Sequence, residues 1–285
     1  MKRKRSEVPE AKGFRVTAQG YVRYGPMTCR GLVPTLKAQF YPEYDYKLAY
    51  LGPMGTKATS ARKVDRGTSG GKRMDQMVDL LVKVCRHLPH IVALDDIPIT
   101  PENTKDMRAL QCGNPLFRQF LMPHLVQRQW TPIASQIPVG DAFLRLATCV
   151  DLVVRDALGA LLLIEIKTGY TGYYHRHTSS NMHKPFEDLN NSPYHQHQLQ
   201  LAFTRHYLAQ QWGQPTDTIP ALVLQINPLG IWEWPCIIDH KRCEDAQFYL
   251  SCTKDQTQKQ RKRSMSNGRR RERYKLHAKS KREGF

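Results

Sequence analysis

Residues 147–168 read ATCVDLVVRDALGALLLIEIKT. Two apolar runs separated by a short link containing Gly159 predict a β-hairpin. A turn centred on Leu158 sets Asp151 directly across from Glu165, with Cβ atoms about 4.5–5.5 Å apart. Side chains alternate along a strand, so Glu165 and Lys167 share one face and Asp151 joins them there. The other face, Val150, Leu152, Val154, Leu162, Ile164 and Ile166, is uniformly apolar and must be packed. On the polar face two acids and a lysine converge among Val153, Leu161 and Leu163. Gathering like charges away from water is costly unless a cation neutralises them. One reading is therefore a divalent metal site. The other is an ordinary salt bridge of these acids with Lys167 or Arg155 on a solvated sheet.

Working outward, Met74, Met77, Val78, Leu81, Cys85 and Leu88 form an i, i+3, i+4 stripe that predicts an amphipathic helix over 73–88. A helical stretch within 103–127 is broken at Gly113-Asn114-Pro115. Strands are expected at 131–138, 144–155 and 160–168, then a helix at 194–211. Strands at 220–226 and 231–239 follow, joined across Asn227-Pro228-Leu229-Gly230. Helix, three strands, helix, two strands implies an α/β or α+β sheet with helices packed on it. Residues 1–60 form a basic N-terminal segment without clear periodicity, 61–250 the folded domain, and 251–285 a basic tail.

Charge dominates the composition: 43 Lys and Arg stand against 25 Asp and Glu, for a net charge of +18 and a pI near 9.7. Such an excess attracts polyanions, nucleic acid first and an acidic membrane surface second. Over half of it lies in residues 254–285, where thirteen Lys or Arg face three acids. That stretch is too poor in apolar residues to fold alone, and its expected state is a mobile tail. Arg261, Lys262, Arg263, Arg269, Arg270 and Arg271 are its candidate phosphate or nuclear-import residues. Seven cysteines without a Cys-x-x-Cys pair argue against a zinc ribbon and a disulfide framework. Neither a signal-peptide core nor a bilayer-spanning run is present, so a soluble intracellular protein is expected.

Two carboxylates with a water-rich shell suit Mg²⁺ or Mn²⁺ rather than zinc. Asp151, Glu165 and the carbonyl of Ile166 would hold the ion. The chemistry of such a site is phosphodiester hydrolysis, with Lys167 orienting the attacking water and stabilising charge on phosphorus. In the loop 170–184, Tyr173, Tyr174 and Arg176 combine rings that stack on bases with a cation that holds phosphate. Arg205 on the later helix is a further candidate contact. His175, His177 and His183 lack a fourth ligand at a regular spacing, so zinc is disfavoured there.

Val150-Asp151 followed by Ile164-Glu165-Ile166-Lys167-Thr168-Gly169 resembles motifs II and III of the PD-(D/E)XK nuclease superfamily. The likeness is closest to the branch with RecB-type and phage recombination exonucleases, and it covers about residues 66–240. It implies a restriction-endonuclease-like αβββαβ core with a mixed central sheet flanked by helices. It also implies a Gly-rich turn before the first helix that ends in a metal-binding His. Residues 66–75 resemble that segment, with Asp75 where the His would stand, either as a further ligand or as an acid in a first helical turn. The branch has a Gln-x-x-x-Tyr helix after the lysine strand. Gln196 and Gln200 lie at the right place without the Tyr, and Gln200 is the candidate site-facing group.

The resemblance implies a metal-dependent deoxyribonuclease of replication, recombination or repair, with DNA and other replication or recombination proteins as partners. The basic flanks fit a nucleus. The plan also resembles that of some herpesvirus nuclear proteins, which would make it a host nucleus. Two rivals stay open: a nuclease-fold DNA-binding protein without turnover, and a basic packaging protein whose hairpin is only core.

Overall fold

The computed structural model describes residues 13–42, 57–169, 174, 175, 178 and 180–252, with backbone alone over 57–70. Residues 1–240 and 241–285 form two compact units. In the second, residues 241–252 are helical. Among the described residues, no helix is long and apolar enough to cross a membrane.

The first unit is mixed α/β. A small antiparallel sheet of β1 (Phe14–Val16), β2 (Val22–Tyr24) and β3 (Met27–Thr28) precedes β4 (Arg30–Gly31) and α1 (Leu32–Phe40). Then come α2 (Lys57–Cys85), α3 (Thr104–Gln111), a π-helical turn Phe117–Leu121 and α4 (Met122–Gln127). The strands β5 (Thr131–Asp141), β6 (Leu146–Arg155) and β7 (Leu161–Thr168) lead to α5 (Pro193–Trp212), β8 (Ala221–Asn227) and β9 (Gly230–Pro235).

The larger sheet runs β4-β6-β7-β8-β9, with β5 also paired to β6. It is mixed: β4 is parallel to β6 and β7 to β8, while the other neighbours are antiparallel. The expected helix over 73–88 is the C-terminal half of a longer one that ends at Cys85, so residues 66–75 are helix rather than the expected Gly-rich turn, and Asp75 lies in the helix interior instead of a first turn. The gap at 113–115 divides α3 from the π turn, as expected of Gly-Asn-Pro. The segment before residue 60, without periodicity in sequence, contributes β4 and α1 to the main unit. Its elements are two to nine residues long, too short for a periodic signal.

Each face of the sheet meets its own helices. Leu152, Val154, Ile164, Ile166, Leu222, Leu224 and Ile226 form one core with Met74, Val78 and Leu81 of α2 and with Met107, Leu110 and Leu125. On the opposite face α5 packs against β5, β6 and β8. From Leu199 to Ala209 almost every α5 residue is buried, Thr204, Arg205 and His206 included, so no apolar stripe marks one face in its sequence. Ser192 caps its start, accepting from the His195 N–H, with Pro193 in the first turn. Gly213 ends it at φ 64°, the left-handed conformation a helix stop needs.

The strand β6 is shared in a way that matters for the site. Along one edge it pairs with β5 almost throughout. Along the other, Leu146 and Ala147 pair with β4, Leu152–Arg155 pair with β7, and residues 148–151 pair with neither. Beyond Ile164, β7 keeps only β8 as its partner. The two hairpin strands therefore part at Asp151, and the gap opens beside Glu165 and Lys167.

Candidate active site

The hairpin has the expected register: Leu152 faces Ile164, Val153 faces Leu163 and Arg155 faces Leu161. Its turn is held by Asp156, whose Oδ1 accepts from the Leu158 and Ala160 N–H groups, and by Gly159 at φ 88°. This rigid turn fixes what lies at the far end of the strands. There the Asp151 side chain replaces the next rung of the ladder: its Oδ2 accepts from the Ile166 N–H at 2.8 Å.

Glu165 is almost wholly buried, at 1% exposure. Its Oε1 accepts from Lys167 Nζ at 2.5 Å and from Gln200 Nε2 at 2.6 Å. Its Oε2 is buried and, among the described residues, has no hydrogen-bond partner. A buried carboxylate oxygen left unmatched costs about 1–3 kcal/mol or more.

The electrostatics agree. Burial, and then the Glu165 carboxylate beside it, hold the Asp151 carboxyl well above the usual range, against the pull of Lys167 and the Ile166 N–H. Asp75 on α2 is also raised, by burial first, with Lys167 opposing and Glu165 and Asp79 reinforcing. Asp75, Asp151, Glu165 and Lys167 thus share one electrostatic neighbourhood, drawn from α2, β6 and β7. Gln200 joins it from α5. Ile166 belongs to it through the N–H bonded to Asp151.

Asp151, Glu165 and Asp75 are the carboxylates here that could hold a hard cation such as Mg²⁺ or Mn²⁺, which keep several waters. Among the described residues, no group of three or more His, Cys, Asp or Glu side chains is placed to hold a metal ion.

Several neighbours carry signals that sequence reading passed over. Asp79 lies one turn beyond Asp75 on α2, and Ser135 Oγ donates to its Oδ1 at 2.5 Å. Cys149 shares the Asp151 face of β6. Its thiol is pushed up to about 11 by burial, then by Asp151, Asp79 and Glu165. His197 lies three residues before Gln200 on the same helical face. Burial, with help from Lys167, holds it well below the ordinary imidazole value, so it is neutral. The spacings i+4 on a helix, i−2 on a strand and i−3 on a helix would have found all three.

Two expected nucleic-acid contacts stand elsewhere. Tyr174 is only 3% exposed and stacks on His197, so its ring is spent inside the protein rather than offered to a base. Arg205, at 9% exposure, donates from Nη2 to the Ile238 carbonyl at 3.1 Å and lies 4.0 Å from Asp217. It is a structural cation on the buried helix α5, and position alone on a basic chain misassigned it. Tyr173, Arg176 and the tail residues Arg261, Lys262, Arg263, Arg269, Arg270 and Arg271 lie outside the described residues.

No protein-family model matches the chain, and neither does any curated protein.

Proposed function

We propose that this chain is a metal-dependent nuclease that hydrolyses DNA phosphodiester bonds, on a restriction-endonuclease-like core. The observation that carries the reading is Asp151, bonded to the Ile166 N–H, next to a buried Glu165 whose Oε1 holds Lys167 and whose Oε2 has no partner among the described residues. The order of three strands, a helix and two further strands supports it, as does the net charge of +18.

Asp151, Glu165 and the Ile166 carbonyl would hold Mg²⁺ or Mn²⁺, with Asp75 as a further ligand; when bound, the ion polarises the phosphate and acidifies a water. Lys167 brings positive charge to a site of three acids, where its ammonium orients the attacking water and stabilises charge developing on the phosphate oxygens. Gln200 holds Oε1 of Glu165 and so fixes the orientation of that carboxylate. The apolar rows of the hairpin below exclude water from the inner side.

A nuclease fold that binds DNA without turnover is favoured by one observation. Lys167 is already paired with Glu165, the ion pair an idle site would keep. Incubating the full chain with Mn²⁺ or Mg²⁺ and linear, circular, single-stranded and branched DNA separates the two readings. The nuclease reading expects cleavage of at least one substrate that chelator stops. No cleavage of any of them leaves only the binding protein.

A further inference from the structure

The registers of the sheet put more than the acids on the catalytic face. Lys167 on β7 is level with Gln225 on β8, and Gln225 with Trp232 on β9. One row lower, Glu165 is level with Val223, and Val223 with Trp234. Residues in register across neighbouring strands share a face, so both tryptophans stand on the side of the sheet that carries Glu165 and Lys167. The Trp234 indole N–H donates to Gln225 Oε1 at 3.2 Å, which fixes this face independently.

The two indoles differ in their surroundings. Trp234 is tiled by Tyr174, His175 and Tyr194, with ring centroids 6.1, 4.3 and 5.7 Å away. Trp232 has no aromatic ring packed on it among the described residues and is 37% exposed. Its ring leans back along the strand: a Cβ at Gly230 would lie 3.3 Å from it. Gly230 is level with Asn227, the last residue of β8, so the ring extends toward the sheet end where β7 finishes at Thr168. Leu229, 72% exposed, lies in the turn that connects β8 to β9. The result is an apolar ledge, two strands away from Lys167. Two strand spacings are about 10 Å, the scale of a single nucleotide.

We infer that Trp232 is a base-stacking residue that seats an unpaired nucleobase flanking the phosphate at Lys167, so that the substrate enters this site as a single strand. The inference rests on the nuclease reading for the identity of the polymer. An exposed indole on the sheet face that carries Lys167 matches the two chemistries of a nucleotide: a flat apolar base and an anionic phosphate. In an intact duplex the faces of internal bases are already stacked on one another and are not offered to the ring.

The test uses the full chain with Ca²⁺ in place of Mg²⁺, and fluorescein-labelled single-stranded and blunt duplex oligonucleotides of one sequence. Elevated salt suppresses phosphate binding by the basic segments. Trp232→Ala is expected to weaken single-strand binding at least about fivefold, the lower end for losing one stacked base, while duplex binding is unchanged and Trp232→Phe recovers most of the loss. An oligonucleotide carrying 5-iodouracil, a photo-crosslinker of aromatic side chains, is expected to join Trp232 in the single-stranded form. Equal weakening for both oligonucleotides, no weakening, or a crosslink elsewhere with none at Trp232 overturns the inference. Because neither readout needs turnover, a wild-type protein that stacks single strands but cuts nothing faults the nuclease reading and leaves the stacking site standing.

Discussion

Gln200 of α5 donates from Nε2 to Oε1 of Glu165 on β7 across 2.6 Å, which ties the central buried helix to the acid at the heart of the site. The amide is a neutral donor, so it orients the carboxylate without neutralising it. Gln200→Leu should lower the cleavage rate about tenfold to a hundredfold, as loss of groups that orient metal ligands does. DNA affinity measured in Ca²⁺ should stay as in the wild type. An unchanged rate would make the contact a packing detail.

Excess Mn²⁺ should raise the melting temperature of the wild type. At a hundred times the dissociation constant the stabilisation is about 2.7 kcal/mol. Asp151→Asn keeps an oxygen for the Ile166 N–H but removes the charge that binds the ion, and should lose that shift. Differential scanning calorimetry with and without chelator reads both. Equal shifts for the two proteins would put the metal elsewhere.

The hairpin was legible from residues 147–168 because period-2 alternation, a Gly-containing link and three charged residues all point to one register. That register, Leu152 with Ile164, is the one found. The gap between β6 and β7 was not legible. It depends on β4, two residues of backbone pairing that leave no side-chain pattern. Gln200 was found by its place after the lysine strand, whereas Arg205, five residues on, was misread. Charge alone does not tell a buried cation bonded to Ile238 from one that faces a phosphate. Trp232 carries no sequence signal either, since its role follows from a register running across three strands.

Metal-free stability should fall as pH rises. Asp151 and Asp75 are both held above the ordinary carboxylate range. Above that range the unfolded chain has released protons that the folded protein keeps, so the unfolded state binds fewer and stability drops with pH. The contribution is fullest below the ordinary carboxylate value and is lost as pH climbs through the raised values. Urea denaturation across this window in chelator should show the slope. Asp151→Asn should flatten it and leave the metal-free protein more stable at neutral pH. A wild-type stability that rises across the window would refute the clustering of these acids.

Lys167→Met removes the cation that contacts Glu165 and leaves a buried charge without it. Lys167 is itself 18% exposed along its side chain, so the loss in chelator should be up to about 3 kcal/mol, below that of a fully buried pair. Saturating Mn²⁺ should recover much of it, since the metal neutralises the same carboxylate. Chemical denaturation in the two conditions gives the difference directly. Identical losses with and without metal would mean that ion and lysine do not share Glu165.

Asp151, Glu165 and Lys167 together are expected to cut a phosphodiester. The most direct measurement of this is the single-turnover rate of DNA cleavage in Mn²⁺ for the wild type, Asp151→Asn and Lys167→Ala, purified side by side with circular dichroism to show each is folded. The account predicts chelator-sensitive cleavage by the wild type and a fall of at least about a hundredfold in each variant, the scale of losing one charge-stabilising group. Cleavage at the wild-type rate by either folded variant, or none by the wild type on any substrate, would contradict it.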